Sequence, residues 1–290
     1  MTILHLADGR SLEYLVAGPE DGTPLVLHNG TPSAALLFTP MVEAAARHGL
    51  RMVVYSRPGY GRSSPLPGRR VAAVADDVAA VLDDLGADRF VTAGWSGGGP
   101  HALACAALLP VRCAAATSVA GVAPHAAEGL DWLDGMGAEN VEEFGAATAG
   151  EGPLTSYLDA QVPGLAEVRA GEVAAALGDL VSDVDRRALT AEFAEYTAAL
   201  FRAAVSGGAA GWRDDDLAFV TDWGFDLDAV KSPVSVWQGG EDRMVPFAHG
   251  RWLARRIPGA SVHLEPGEGH LSLMLNAFDT IVAELAAYLD

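Results

Sequence analysis

Basic residues are scarce in this chain. Nineteen Lys and Arg stand against 38 Asp and Glu, giving a net charge of −19. So acidic a surface repels phosphate backbones and anionic lipid headgroups, which excludes nucleic acid as an expected partner. Cysteine is nearly absent. Cys105 falls in an Ala/Leu-rich stretch and Cys113 at the start of a small apolar one, without metal-ligand spacing. The two read as buried small hydrophobes in a reducing compartment, and the expected location is cytoplasmic. No apolar run reaches about 18 residues, so no membrane span is expected. Met1 to Arg10 has no basic segment followed by an apolar core, so no signal peptide is expected either. Internal repeats and low-complexity tracts are also missing. What remains is ordinary: 50% apolar and 7% aromatic residues over 290 positions, enough for one large domain or one domain with an insertion.

The hydrophobic pattern supplies the organisation. Ile3–Leu6 and Ser11–Val16 flank Asp8-Gly9, a tight-turn dipeptide, and predict a β-hairpin. Continuous apolar runs at Pro24–His28, Arg51–Ser56, Phe90–Trp95 and Cys113–Ala120 predict strands buried on both faces. Helical spacing falls between them, at Met41–His48, at Val71–Leu85 and from Pro100 to Leu109. Strand and helix thus alternate, which implies right-handed crossovers and a mostly parallel sheet covered on both sides. From about 122 to 221 only helical segments are expected, near 139–149, 164–178, 183–206 and 212–221. The alternation resumes with strands at Pro233–Gln238 and Ser261–Leu264 and helices at Pro246–Arg256 and Ala277–Leu289. The division expected is therefore a core over 1–121 and 222–290, with a helical cap inserted at 122–221.

The chain turns on one stretch. Phe90-Val91-Thr92-Ala93-Gly94-Trp95-Ser96-Gly97-Gly98-Gly99 is an apolar run that stops on small residues before a helix, and it contains G-x-S-x-G. That spacing suits a nucleophile elbow: glycines two before and two after the serine let strand and helix pass closely while the hydroxyl stays clear at the top of a sheet. A serine nucleophile needs a base, and the base needs an orienting group. Asp242, in Gly239-Gly240-Glu241-Asp242-Arg243-Met244-Val245-Pro246, directly follows a predicted buried strand. His270, in Gly267-Glu268-Gly269-His270, directly follows the last one. A parallel sheet gathers such strand ends at one edge.

Taken in order, Asn29-Gly30-Thr31-Pro32, Arg57-Pro58-Gly59-Tyr60-Gly61-Arg62-Ser63, Gly94-Trp95-Ser96-Gly97-Gly98, the Asp242 stretch and the His270 stretch resemble the α/β-hydrolase fold superfamily with an inserted cap. The resemblance implies an eight-stranded, mostly parallel sheet flanked by helices. It implies Ser96 as nucleophile, His270 as base and Asp242 as its partner, with the backbone N–H groups of Thr31 and Gly97 as the oxyanion hole. Asn29, Gly30, Trp95 and Met244 become candidates for the substrate pocket. No cofactor and no metal are expected. Two positions depart from the family pattern: Asn29 stands where His is usual, and Ser56 replaces the usual acid before Arg57-Pro58-Gly59.

Other residues compete for these roles. Glu241 and Glu268 are neighbouring candidates for the acid. Of the other histidines, His5, His48, His125 and His249 read as surface or packed, His263 as a strand residue and His101 as pointing away from Ser96. Asp214-Asp215-Asp216 reads as a solvated helix start rather than a metal site, since no histidines cluster with it. The expected activity is hydrolysis of a small, fairly apolar ester, thioester or amide. A proline-iminopeptidase-like aminopeptidase, which would need a cap acid such as Glu139, Glu142, Glu143 or Glu195, and a carbon–carbon bond hydrolase remain open on the same triad. A ligand-binding receptor of the same fold is a third reading. Cap aromatics Trp132, Phe144, Tyr157, Phe193, Tyr196, Phe201 and Trp212 are expected around an apolar pocket. Oligomeric state is not legible.

Overall fold

In the computed structural model, which describes residues 1–289, Gly9 takes φ +90° and turns β1 (Thr2–His5) back antiparallel onto β2 (Ser11–Ala17). The buried runs become β3 (Thr23–His28), β4 (Leu50–Tyr55), β5 (Phe90–Trp95), β6 (Cys113–Val119), β7 (Val234–Gly239) and β8 (Ser261–Glu265). They form one eight-stranded sheet in the order β1-β2-β4-β3-β5-β6-β7-β8. Only the β1–β2 and β2–β4 pairs are antiparallel. Chain order reverses beside β3 and β5, and such a reversal opens a crevice at the carboxyl ends of the strands.

Helices α1 (Thr39–Arg47), α2 (Val74–Asp84) and α3 (Gly99–Leu108) follow β3, β4 and β5. Between β6 and β7 lie α4 (Ala138–Ala149), α5 (Glu151–Glu167), α6 (Val173–Ala176), α7 (Asp183–Ala188), α8 (Ala191–Ala204) and α9 (Ala210–Val220). The chain closes with α10 (Phe247–Arg256) and α11 (His270–Ala286). Two apolar layers sandwich the sheet. One holds Val78, Leu82, Leu103 and Leu253 from α2, α3 and α10; the other holds Met41, Phe278, Ile281 and Leu285 from α1 and α11. Fully buried side chains of this size stabilise by about 1.5–3 kcal/mol each. Among the described residues no helix is long and apolar enough to cross a membrane.

The helices between β6 and β7 differ in detail from the periodicity. The helix at Glu151–Glu167 fills the expected gap at 150–163, where Gly150, Gly152, Pro153 and Pro163 interrupt the helical pattern. Pro153 is harmless within the first turn, where its missing N–H has no partner to lose. The expected 164–178 helix is instead the end of α5, an extended residue at Val168 (ψ 135°), and short turns through α6. The expected 183–206 helix divides at Thr190, whose hydroxyl accepts from Phe193 N–H and caps α8. The last helix begins seven residues early, at His270 itself.

Candidate active site

Ser96 follows β5 at φ +58°, in the left-handed region, and opens a single turn that leads into α3. The glycines around it are sterically compelled. A Cβ on Gly94 would strike the carbonyl oxygen of Gly98, and one on Gly98 would strike the carbonyl of His28. A Cβ on Gly30 would lie 3.2 Å from that of Ser96, so the loop after β3 passes directly against the serine.

His270 sits at the amino end of α11. Its Nδ1 is 2.8 Å from Asp242 Oδ2, which leaves Nε2 as the ring nitrogen available to a reacting group. Asp242 is itself held by three more donors: Gln238 Nε2 at 3.0 Å, Met244 N–H at 2.9 Å and Val245 N–H at 2.8 Å. Burial alone would lower the His270 pKa, but the Asp242 carboxylate beside it reverses the effect and holds it above 6.5. The competing acids drop out on geometry. Glu268 accepts from Asn276, and Glu241 is exposed.

The backbone of His270 has a partner the sequence did not disclose. Asp185, in α7, is fully buried and accepts from the N–H groups of His270 (3.0 Å), Leu271 (2.8 Å) and Ser272 (3.0 Å). It is the side-chain cap of α11, supplied from 85 residues away. Gly269 is glycine because a Cβ there would run into this carboxylate.

The loop carrying Gly30 and Thr31 is anchored from behind. Arg57 Nη1 and Nη2 donate to the carbonyls of Asn29 (2.6 Å) and Gly30 (2.8 Å), and Nη2 also reaches Thr31 Oγ1. Asp215 pairs with Arg57 at 2.7 Å and Arg69 at 2.7 Å, and accepts from Tyr60 Oη and Thr31 Oγ1 at 2.9 Å each. Burial would raise the Asp215 pKa, but the two guanidinium groups hold it well below 3.8. This corrects the reading of 214–216 as a solvated helix start. Asp214, Asp215 and Asp216 are all buried, inside α9. Helical periodicity gave no sign of it, because three consecutive acids look solvated until two distant arginines are brought against one of them. No group of three or more potential metal ligands comes together among the described residues. Ser56 likewise acquires its missing acid from elsewhere: its hydroxyl donates to Glu13 Oε2 of β2 at 2.8 Å and accepts from Ala35 N–H.

Ser96, Gly97, Gly30, Thr31 and His270 border one cavity of about 170 Å³. Trp95 and Met244 border it too, and Trp95 also packs on His270 with ring centroids 5.6 Å apart. Asn29 does not: it is buried behind the loop, its carbonyl turned to Arg57. Phe144, Tyr157, Phe201 and Trp212 line the cavity, whereas Trp132, Phe193 and Tyr196 are spent on packing. Trp132, for instance, donates to Ala123 O and stacks edge-on against Phe144. The remaining histidines lie elsewhere. His249 accepts from Ala123 N–H, His263 stacks on Trp237 at 3.8 Å, and His101 is buried 3.6 Å from Asp215.

The sheet order, the left-handed turn at Ser96 and the helices gathered between β6 and β7 define the α/β-hydrolase class. The chain belongs to that family: the alpha/beta hydrolase fold family matches residues 23–277. It is a hydrolytic enzyme of it. Among relatives, it is 35% identical over 151 residues to a non-heme chloroperoxidase of Streptomyces lividans, a match spanning 51% of this chain and 55% of that protein. It is 30% identical to a pimeloyl-[acyl-carrier protein] methyl ester esterase of Aromatoleum aromaticum, over 87% of this chain and 91% of that one. A hydrolase from Pseudomonas aeruginosa superposes with a TM-score of 0.68 at 23% identity, covering 99% of this chain and 97% of the other.

Proposed function

We propose that the enzyme cleaves small, fairly apolar esters through an acyl-enzyme on Ser96. His270 takes the serine proton and returns it to the leaving alcohol, while Asp242 orients the imidazole and stabilises its charged form. The N–H groups of Gly97 and Thr31 receive the oxyanion. Residues 122–221 act as a cap that closes the site from water. The observation that carries this reading is the His270–Asp242 pair at 2.8 Å, bordering the same cavity as a serine held at φ +58°. The cavity compares with an apolar void of about 150 Å³ that accepts benzene, so the favoured acyl or alcohol group is short. An ester is preferred over an amide because alkoxide is the better leaving group. The relative that acts on a methyl ester fits this reading.

The test is turnover of p-nitrophenyl acyl esters from acetate to decanoate by wild type and Ser96→Ala. A chain-length optimum at the short end, lost by roughly 10⁴- to 10⁶-fold in the variant, is expected. Retained turnover in a folded Ser96→Ala protein refutes the assignment.

A further inference from the structure

Three carboxylates border the same cavity without any part in acyl transfer; Glu139 is spent on the N–H of Asp179, and the other two lie deeper. Glu143 of α4 is 9% exposed and Asp216 of α9 is 0% exposed. Among the described residues, neither oxygen of Asp216 meets a hydrogen-bond donor. Glu143 Oε1 accepts from Trp212 Nε1 at 2.8 Å, and the Glu143 carboxyl lies against that of Asp216. Asp215 repels Asp216 from the same helix, and Arg69, the nearby cation, spends its Nη1 on Asp215. Tyr157 of α5 lines the same cavity, and Glu139 and Glu142 of α4 act on it along with the pair. Burial, and then the Glu143 carboxylate, push the Asp216 pKa well above 3.8; burial also raises that of Glu143.

A buried carboxylate without a donor costs stability and calls for a partner at some stage of the working cycle. A single shared proton answers part of that need when the cavity is empty. It does not answer why two acids face a cavity walled by Phe144, Trp212 and Phe219. We infer that Glu143 and Asp216 form a cation subsite, and that the enzyme prefers esters whose non-reacting end carries a compact ammonium with an N–H to donate. The ammonium gives its N–H to the carboxylates, the shared proton leaves to solvent, and the aromatic wall of Trp212 adds a cation-friendly face. This rests on the hydrolase reading for where the substrate lies, and adds to it the chemical class of the preferred substrate.

Two isosteric pairs test it at neutral pH by pH-stat: dimethylaminoethyl acetate against isopentyl acetate, and methyl dimethylaminobutyrate against methyl isoheptanoate. One pair puts the charge on the alcohol side and the other on the acyl side. In at least one pair the cationic ester should win in kcat/KM by about 10- to 100-fold, the scale of a charge-assisted hydrogen bond in a desolvated site. That ratio should fall towards one in Asp216→Asn and in Glu143→Gln. Equal kcat/KM for both isosteres in both pairs, or a ratio preserved in the variants, overturns the proposal. A second readout needs no turnover. Isopentylamine should raise the Tm of wild type more than isopentanol does, and Asp216→Asn should lose the difference; identical shifts overturn it. If no ester is cleaved, the esterase reading fails while the amine readout still decides the subsite. A merely structural pair makes one further, opposite prediction. Asp216→Asn would then lower the Tm, whereas an acid kept for binding gives a variant more stable than wild type, by a margin that grows as pH rises from the unfolded carboxylate range towards the raised folded value.

Discussion

Asp215→Asn puts the buried charge cluster behind the Gly30–Thr31 loop to the sharpest test. The carboxylate is 0% exposed and faces two guanidinium groups, Arg57 and Arg69, each 3% exposed, at 2.7 Å. The amide keeps the size and removes the charge, leaving two buried cations with no anion and an NH₂ facing donors. Breaking a buried pair in this way costs about 3–5 kcal/mol. At roughly 2–4 °C per kcal/mol for a large domain, the Tm should fall by about 6–20 °C. The urea midpoint should fall with an unchanged slope. Asp222→Asn is the control: its pair with Arg70 is 62% and 75% exposed, so its Tm should not move. The acid dependence has a fixed sign. Asp215 is depressed in the folded state, so its contribution is complete above an unfolded pKa near 3.8 and is lost as pH falls through the lower folded value. The gap between wild type and variant should therefore close only in strong acid. Activity should fall as well, since Arg57 also holds the carbonyls of Asn29 and Gly30. A misplaced oxyanion donor is worth up to about 10²–10³ in kcat. A stability change below about 1 kcal/mol would refute the charge argument outright.

Three more outcomes are expected. The rate should fall on acidification with a midpoint above 6.5, since Asp242 outweighs burial at His270 and the proposed base must be neutral; Asp242→Asn should move that midpoint down, as Asp185 alone then opposes burial. Asp185→Ala strips the α11 terminus of its acceptor and should cost about 1–2 kcal/mol by denaturant melt together with a lower kcat, because His270 N–H is among the groups released. Gly98→Ala should fail to accumulate as folded protein, since its methyl group meets the backbone carbonyl of His28, which has no room to yield.

How much of this was legible in the sequence follows from the range of the interactions. The sheet was readable because buried parallel strands are continuous apolar runs, and Phe90–Trp95 or Val234–Gln238 cannot be much else. The stretches that carry Ser96, Asp242 and His270 stood out because each is a short glycine-marked segment at a strand end. The helices over the sheet were read less well. The break at Thr190 is a local cap within an otherwise helical pattern, and α5 runs on through Pro163 although only Pro153 sits in its first turn. Least visible were acids whose partners lie far along the chain. Asp215 meets Arg57 across 158 residues and Asp185 meets His270 across 85, and no local pattern marks either. Glu143 appeared among the cap acids, but its pairing with Asp216 emerged only once α4 and α9 were packed together.

The support that Asp185 gives to α11 has a consequence for engineering. Inserted helices of this kind invite exchange between related enzymes as a route to new specificity. Here the transplanted segment would take with it the acceptor on which the helix bearing the histidine rests. A graft that changes 122–221 without an acid at the place of Asp185 would disturb the seat of His270 as well as the pocket. Specificity and competence are thus not separately swappable parts of this chain.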